Sequence, residues 1–252
     1  MNDHDTQHPA YSSAQEIERR RAFIEQFRAC PIPEQELLVN LGLFINRQSM
    51  SRMLYIHDLF RRIVPVHGVI MEFGVRWGQN LALFSSFRGI YEPYNFNRKI
   101  IGFDTFAGFP AVAEEDGRSE QVRIGGFGVT ADYKEYLHSL LQYHESESPL
   151  PHIRKFELVE GDATKTLPVY LERHPETIVA LAYFDFDLYD PTRACLELIR
   201  ERVPRGGIIA FDELNCREFP GETRAVMDVF GIHRCRLERT SHNPTPGFMV
   251  IE

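Results

Sequence analysis

Five short apolar runs, each with a carboxylate at or near its C-terminal end, constrain this chain more than any other feature. They are "GVIMEFG" (68–74), "KIIGFD" (99–104), "KFELVEGD" (155–162), "IVALAYFDFD" (178–187) and "GGIIAFDEL" (206–214). Helix-like apolar spacing separates them at 78–90, 131–143, 164–173 and 191–203. Strands alternating with helices predict an α/β fold with a mainly parallel sheet covered on both faces. The acids then line the C-terminal edge of the sheet, outside which open α/β folds bind their ligands.

Before the first strand, apolar spacing predicts helices over 15–30 and 48–64, the latter carrying Met53, Leu54, Ile56, Leu59, Phe60 and Ile63. Residues 1–15 are polar and are expected to be a disordered tail, and 16–64 a helical cap on a main domain over 65–252. The connection 105–150 is too long for a plain crossover and is expected to cover the site. Two last stretches, 233–240 and 247–252, read as closing strands. With 252 residues, 43% of them hydrophobic, the chain can bury one full core.

A net charge of −8 argues against a nucleic-acid backbone as partner, which would call for a basic face. No window has membrane-spanning length and the N-terminus lacks an apolar signal core, so a soluble, cytoplasmic protein without a membrane partner is expected. A homo-oligomer stays open. Cys30, Cys195, Cys216 and Cys235 are scattered, without zinc spacing, and read as reduced.

"MEFGVRWGQN" (71–80) puts Gly74 and Gly78 between a strand and a helix, where glycine lets the backbone approach a ligand. The spacing lacks the G-x-G-x-x-G of a dinucleotide site. It suits a cofactor with one ribose and no pyrophosphate. Asp104 would accept from ribose hydroxyls, Asp162 would reach an adenine amino group, and Glu72 would accept from a cationic amine. Arg76 and Trp77 either line that pocket or pack beside it.

"FDFDLYDPT" (184–192) holds Asp185, Asp187 and Asp190. An EF-hand reading fails, because Tyr189, Asp190 and Leu196 fall where a ligand, glycine and Glu belong. Asp190 before proline reads as a helix N-cap. Asp185 and Asp187 are two apart and share one side of the strand end, and Asp212 and Glu213 end the next strand. Four carboxylates so close would repel. An oxygen-preferring divalent cation, Mg²⁺, Mn²⁺ or Ca²⁺, relieves that conflict.

Six segments, "MEFGVRWGQN", "GFDTFAGFP", "EGDATKTLP", "FDFDLYDPT", "PRGGIIAFDEL" and "GETRAVMDVF", occur in the order found in class I S-adenosylmethionine-dependent methyltransferases. The chain most resembles the macrocin-type sugar O-methyltransferases that act on macrolide and aminocoumarin antibiotics. The resemblance implies a Rossmann-like fold with seven strands, the last two an antiparallel hairpin. It assigns the cofactor S-adenosyl-L-methionine to Glu72, Gly74, Gly78, Asp104 and Asp162. It places a magnesium on Asp185, Asp212 and Glu213, although the family usually has Asp-Asp at the last pair.

The acceptor it implies is a small sugar-containing molecule, a glycosylated natural product or nucleotide sugar. A surface polysaccharide, a catechol-like diol, or non-catalytic cofactor binding are the alternatives. Asp187 is the expected catalytic base, with Asp185 its rival and His57 a remoter candidate.

Overall fold

The computed structural model describes residues 12–252, so most of the expected tail lies outside the described residues. Its last positions are ordered: helix α1 (Ala14–Arg28) starts one residue earlier than the spacing suggests, with Ser13 and Glu16 closing a capping box. The chain divides into two compact units, one up to Met50 and one over Ser51–Glu252. In the first, α1 is followed by the single turn α2 (Glu34–Leu37), and Phe27 meets Phe44 edge-on at 4.9 Å. Helix α3 (Arg47–Ile63) runs across the division.

The second unit is a six-stranded sheet. Its strands are β1 (Val69–Phe73), β2 (Ile100–Asp104), β3 (Phe156–Glu160), β4 (Val179–Phe184), β5 (Ile208–Phe211) and β6 (Gly247–Val250), in the order β3-β2-β1-β4-β5-β6. Pairing is parallel except β5 with β6. The helices α4 (Gln79–Tyr91), α5 (Tyr133–Ser146), α6 (Ala163–Arg173), α7 (Tyr189–Ile199) and α8 (Gly221–Phe230) complete the α/β architecture. Every residue of β4 is buried, which is why its run "VALAYF" shows no alternation. One core cluster joins Met71, Phe103, Phe184 and Phe211 to α6, α7 and α8, and the other joins Ile70, Tyr183 and Ile208 to Tyr55, Ile56, Leu59, Phe60 and Ile63 of α3.

The described sheet differs from expectation by one strand. Residues 233–240 make a single bridge, Glu238 with Phe248, on the edge of β6. "HRCRLERT" has three arginines and few apolar side chains to bury, so it does not sustain a ladder. The N-cap expectation for Asp190 also changes. Helix α7 starts at Tyr189 with Leu188 at its cap, and Asp190 sits in the first turn, where its charge faces the helix N-terminus. Among the described residues no helix is long and apolar enough to cross a membrane, and all four cysteines are free.

Candidate active site

The strand order reverses between β1 and β4, and the crevice opened there is the expected ligand site of such a sheet. The sequence builds it from two chain ends that touch. The Asp185 N–H donates to the Phe73 carbonyl at 2.7 Å, and Gly74 follows at once with φ 94°. A Cβ on Gly74 would run into the Asp185 carbonyl, so only glycine lets the two ends close. Gly78 answers a different need. It caps α4 at φ 74°, and a side chain there would strike Leu137 of α5.

Glu72 is 1% exposed. One carboxylate oxygen accepts from Asn80 Nδ2 at 2.8 Å, and the other is buried with no partner. Burial, and after it the charge of Asp185, pushes its pKa well above the ordinary carboxylate range. An ammonium group fits that unpaired oxygen. Asp104 is already occupied: its Oδ2 takes the N–H groups of Val75 and Arg76, both at 2.7 Å, and its Oδ1 that of Phe106 at 2.6 Å. It therefore fixes the glycine turn itself, with acceptor capacity left over, since a carboxylate has about four lone-pair sites. Gly161 N–H to the Asp104 carbonyl, 2.8 Å, brings Asp162 alongside. Asp162 caps α6 through Thr164 and pairs with Lys165 at 2.9 Å.

Two residues of the long connection 105–150, Phe127 and Tyr133, reach the same turn. Arg76 (φ 47°) stacks its guanidinium 4.8 Å from the Phe127 ring, and Trp77 meets Tyr133 edge-on at 4.7 Å. His57 is bonded to the Tyr91 hydroxyl at 2.6 Å and lies against Phe87.

Beyond β4 and β5 the four carboxylates do come together, and a guanidinium occupies the fork between two of them, Asp185 and Asp212. Arg52 of α3 places Nη1 at 3.0 and 2.9 Å from the two oxygens of Asp212 and Nη2 at 2.7 Å from Asp185 Oδ2. Its Nε donates to Asn80 Oδ1 at 3.2 Å, and the Tyr183 hydroxyl also donates to Asp212. Glu222, the second residue of α8, is fully buried. Its Oε1 accepts the Phe186 and Asp187 N–H groups at 3.1 and 3.3 Å, and its Oε2 accepts that of Glu213 at 3.1 Å. Asp187 itself sits at φ 60°, an uncommon conformation for a residue other than glycine.

The electrostatics follow from two guanidinium groups, those of Arg52 and Arg76, among a larger number of carboxylates. Burial first, then Asp212, pushes Asp185 up to about 7 against the pull of Arg52. Burial, then Asp212 and Asp185, pushes Glu213 up to about 8. Asp187 goes well above its ordinary value through burial and the charges of Asp185, Glu213, Glu222 and Asp212.

The cage expected from Asp185, Asp212 and Glu213 is not assembled. Arg52 fills the fork between the two aspartates, and among the described residues no three His, Cys, Asp or Glu are disposed to hold a metal ion. Arg52, Asn80, Tyr183 and Glu222 were not singled out from sequence. A signal existed for Arg52, which stands three and four residues before the buried Tyr55 and Ile56 and so shares the apolar stripe of α3.

A family model described as macrocin-O-methyltransferase (TylF) matches residues 45–231. The calicheamicin methyltransferase CalS11 is 41% identical over 99% of this chain and 99% of its own, with a TM-score of 0.93. An apo structure of CalS11, described as a TDP-rhamnose 3'-O-methyltransferase of calicheamicin biosynthesis, gives 39% over 95% and 96%, with a TM-score of 0.84. The O-methyltransferase NovP, 19% identical over 80% and 79% with a TM-score of 0.59, shares the fold. A search of curated proteins found no match. Family match, whole-chain likeness and the crevice between β1 and β4 agree: the chain belongs to the macrocin-O-methyltransferase (TylF) family and is an S-adenosylmethionine-dependent O-methyltransferase.

Proposed function

We propose that this enzyme methylates a hydroxyl of a nucleoside-diphosphate deoxysugar in the making of a glycosylated natural product. The observation that carries the reading is the 41% identity, over the whole chain, to CalS11, described in its apo structure as acting on TDP-rhamnose. The crevice supports it by setting a glycine turn suited to the cofactor directly against a proton-accepting centre.

Glu72 would hold the cofactor's ammonium group on its unpaired oxygen, and Gly74 and Gly78 would shape the backbone beside it. Asp104 and Asp162 would meet the ribose and adenine with the acceptor capacity their present bonds leave. Bound S-adenosylmethionine supplies an electrophilic methyl group on a sulfonium. The chain's own task is to align an acceptor oxygen with that methyl and to take its proton.

Asp185 suits the second task better than Asp187. Its side chain is 26% exposed, only one of its oxygens is tied to Arg52, and its pKa near 7 matches the working range of a general base. Asp187 is 8% exposed, and burial and the surrounding carboxylates push its pKa well above the ordinary range. Divalent-cation dependence, which the resemblance also carried, would require Asp185, Asp212 and Glu213 to rearrange around the ion.

The test is S-adenosylhomocysteine release with TDP-rhamnose, a catechol and a deoxysugar polysaccharide as alternative acceptors. Turnover with TDP-rhamnose at least about tenfold above the others supports the proposal. Preference for the catechol or the polysaccharide replaces the acceptor class, and cofactor binding without turnover on any acceptor sinks the sugar-nucleotide reading.

A further inference from the structure

A guanidinium stands in the fork where the resemblance puts a metal ion. We propose that Arg52 is the resident counter-ion of the acidic centre, and that it competes with divalent cations for the carboxylates of Asp185 and Asp212. Arg52 engages both aspartates at 2.7 to 3.0 Å, in the forked geometry that guanidinium and carboxylate share. A bound Mg²⁺ needs its oxygens at about 2.0–2.1 Å and Ca²⁺ at about 2.3–2.6 Å. The lone pairs that face Arg52 cannot serve both partners, so an ion enters this fork only as the side chain withdraws.

Withdrawal is resisted at a third point. Arg52 Nε is tied to Asn80 Oδ1 at 3.2 Å, and Asn80 in turn donates to Glu72. Yet the centre still attracts positive charge with Arg52 in place. Glu213 is 9% exposed and its Oε2 is buried without a partner, while Asp187 is buried beside it. Arg52 bonds only Asp185 and Asp212, which leaves Glu213 Oε2 without a partner and more carboxyl groups than guanidinium groups in the centre. The centre is therefore acidic enough to draw a cation and closed enough to hold it off.

The inference rests on this geometry and not on the identity of the acceptor. Its test uses the full-length protein with neither cofactor nor acceptor, so it fails separately from the proposed function. Free Mn²⁺ is followed by electron paramagnetic resonance while protein is titrated in, for wild type and for Arg52→Gln, Arg52→Lys and Arg76→Gln. Arg76 carries the same charge nearby but stacks on Phe127, so it controls for general electrostatics.

Releasing charge-assisted hydrogen bonds predicts Mn²⁺ binding at least about tenfold tighter for Arg52→Gln. Arg52→Lys keeps the charge and loses the fork, so it should also bind more tightly than wild type. It decides the matter if Arg52→Gln does not fold by circular dichroism. Arg76→Gln should change affinity by less than about threefold. Variants at Arg52 that bind Mn²⁺ no better than wild type, or an equal gain in Arg76→Gln, overturn the proposal.

Discussion

The backbone N–H of Asp187 donates to the buried Glu222 carboxylate at 3.3 Å, so the first turn of α8 dictates where the loop after β4 ends. The other oxygen of Glu222 takes the Glu213 N–H at 3.1 Å, and one side chain thus pins both arms of the acidic centre. Gly221 makes room for this contact, since a Cβ there would lie 2.6 Å from the Asp187 carbonyl. Glu222→Ala should cost about 1–3 kcal/mol for each N–H left without an acceptor. Glu222→Gln keeps one acceptor oxygen and should cost less. Urea denaturation measures both, and an unchanged midpoint for Glu222→Ala would contradict the pinning role.

Asp104 allows its two roles to be separated. If it only met the ribose, Asp104→Ala would weaken S-adenosylhomocysteine binding and leave the free protein's Tm alone. Its three backbone partners predict a loss in both, about 1.5–3 kcal/mol per hydrogen bond to the charged group. Calorimetry and thermal melting of the cofactor-free variant decide between the two.

Gly74→Ala tests the closure of β1 on β4. The substitution combines a left-handed backbone with a collision at the Asp185 carbonyl, and strain of about 1–3 kcal/mol is the least expected. Cofactor affinity should fall with Tm, because the turn must open to fit the methyl group. A variant with wild-type Tm and affinity would show that the two ends are not held together as described.

Much of the frame could be read from the chain because β4 and its neighbours are short, wholly buried and acid-ended. That pattern placed Asp185, Asp187, Asp212 and Glu213 at adjoining strand ends. What stayed hidden came from partners distant in sequence. Arg52 is 133 residues before Asp185, and no local pattern says that a helix will deliver a guanidinium to it. Glu222 lies in the first turn of α8, and its bonds run to backbone groups of two other loops, which no local pattern reveals. Asp104 and Asp162 were visible as strand-end acids, but their bonds to the turn and to α6 depend on side-chain direction, which spacing does not reveal.

Stability should fall as pH rises through the neutral range. Asp185 at about 7 and Glu213 at about 8 lie above the ordinary unfolded value near 4, so the folded chain keeps protons that the unfolded chain releases. Their contribution is complete at low pH and is lost as pH climbs through the folded values. Tm should be higher at about pH 5.5 than at about pH 8.5, and Glu213→Gln, which is permanently neutral, should show a flatter slope. A rising Tm over that range, or an unaltered slope in the variant, would contradict the reading of a crowded acidic centre.

In the proposed reaction a carboxylate of this centre, that of Asp185, takes the proton of a sugar hydroxyl as it is methylated. The most direct measurement is the rate at which TDP-rhamnose becomes one methyl heavier by mass spectrometry, for wild type, Asp185→Asn and Asp187→Asn at saturating S-adenosylmethionine. Removal of a general base costs about 10²–10⁴-fold in rate, and that loss is expected for Asp185→Asn with S-adenosylhomocysteine affinity retained. Asp187→Asn should lose less than about tenfold, since Asn also accepts the left-handed backbone at this position. Wild-type turnover in Asp185→Asn, or no methyl transfer to TDP-rhamnose by any of the three proteins, would contradict the claim.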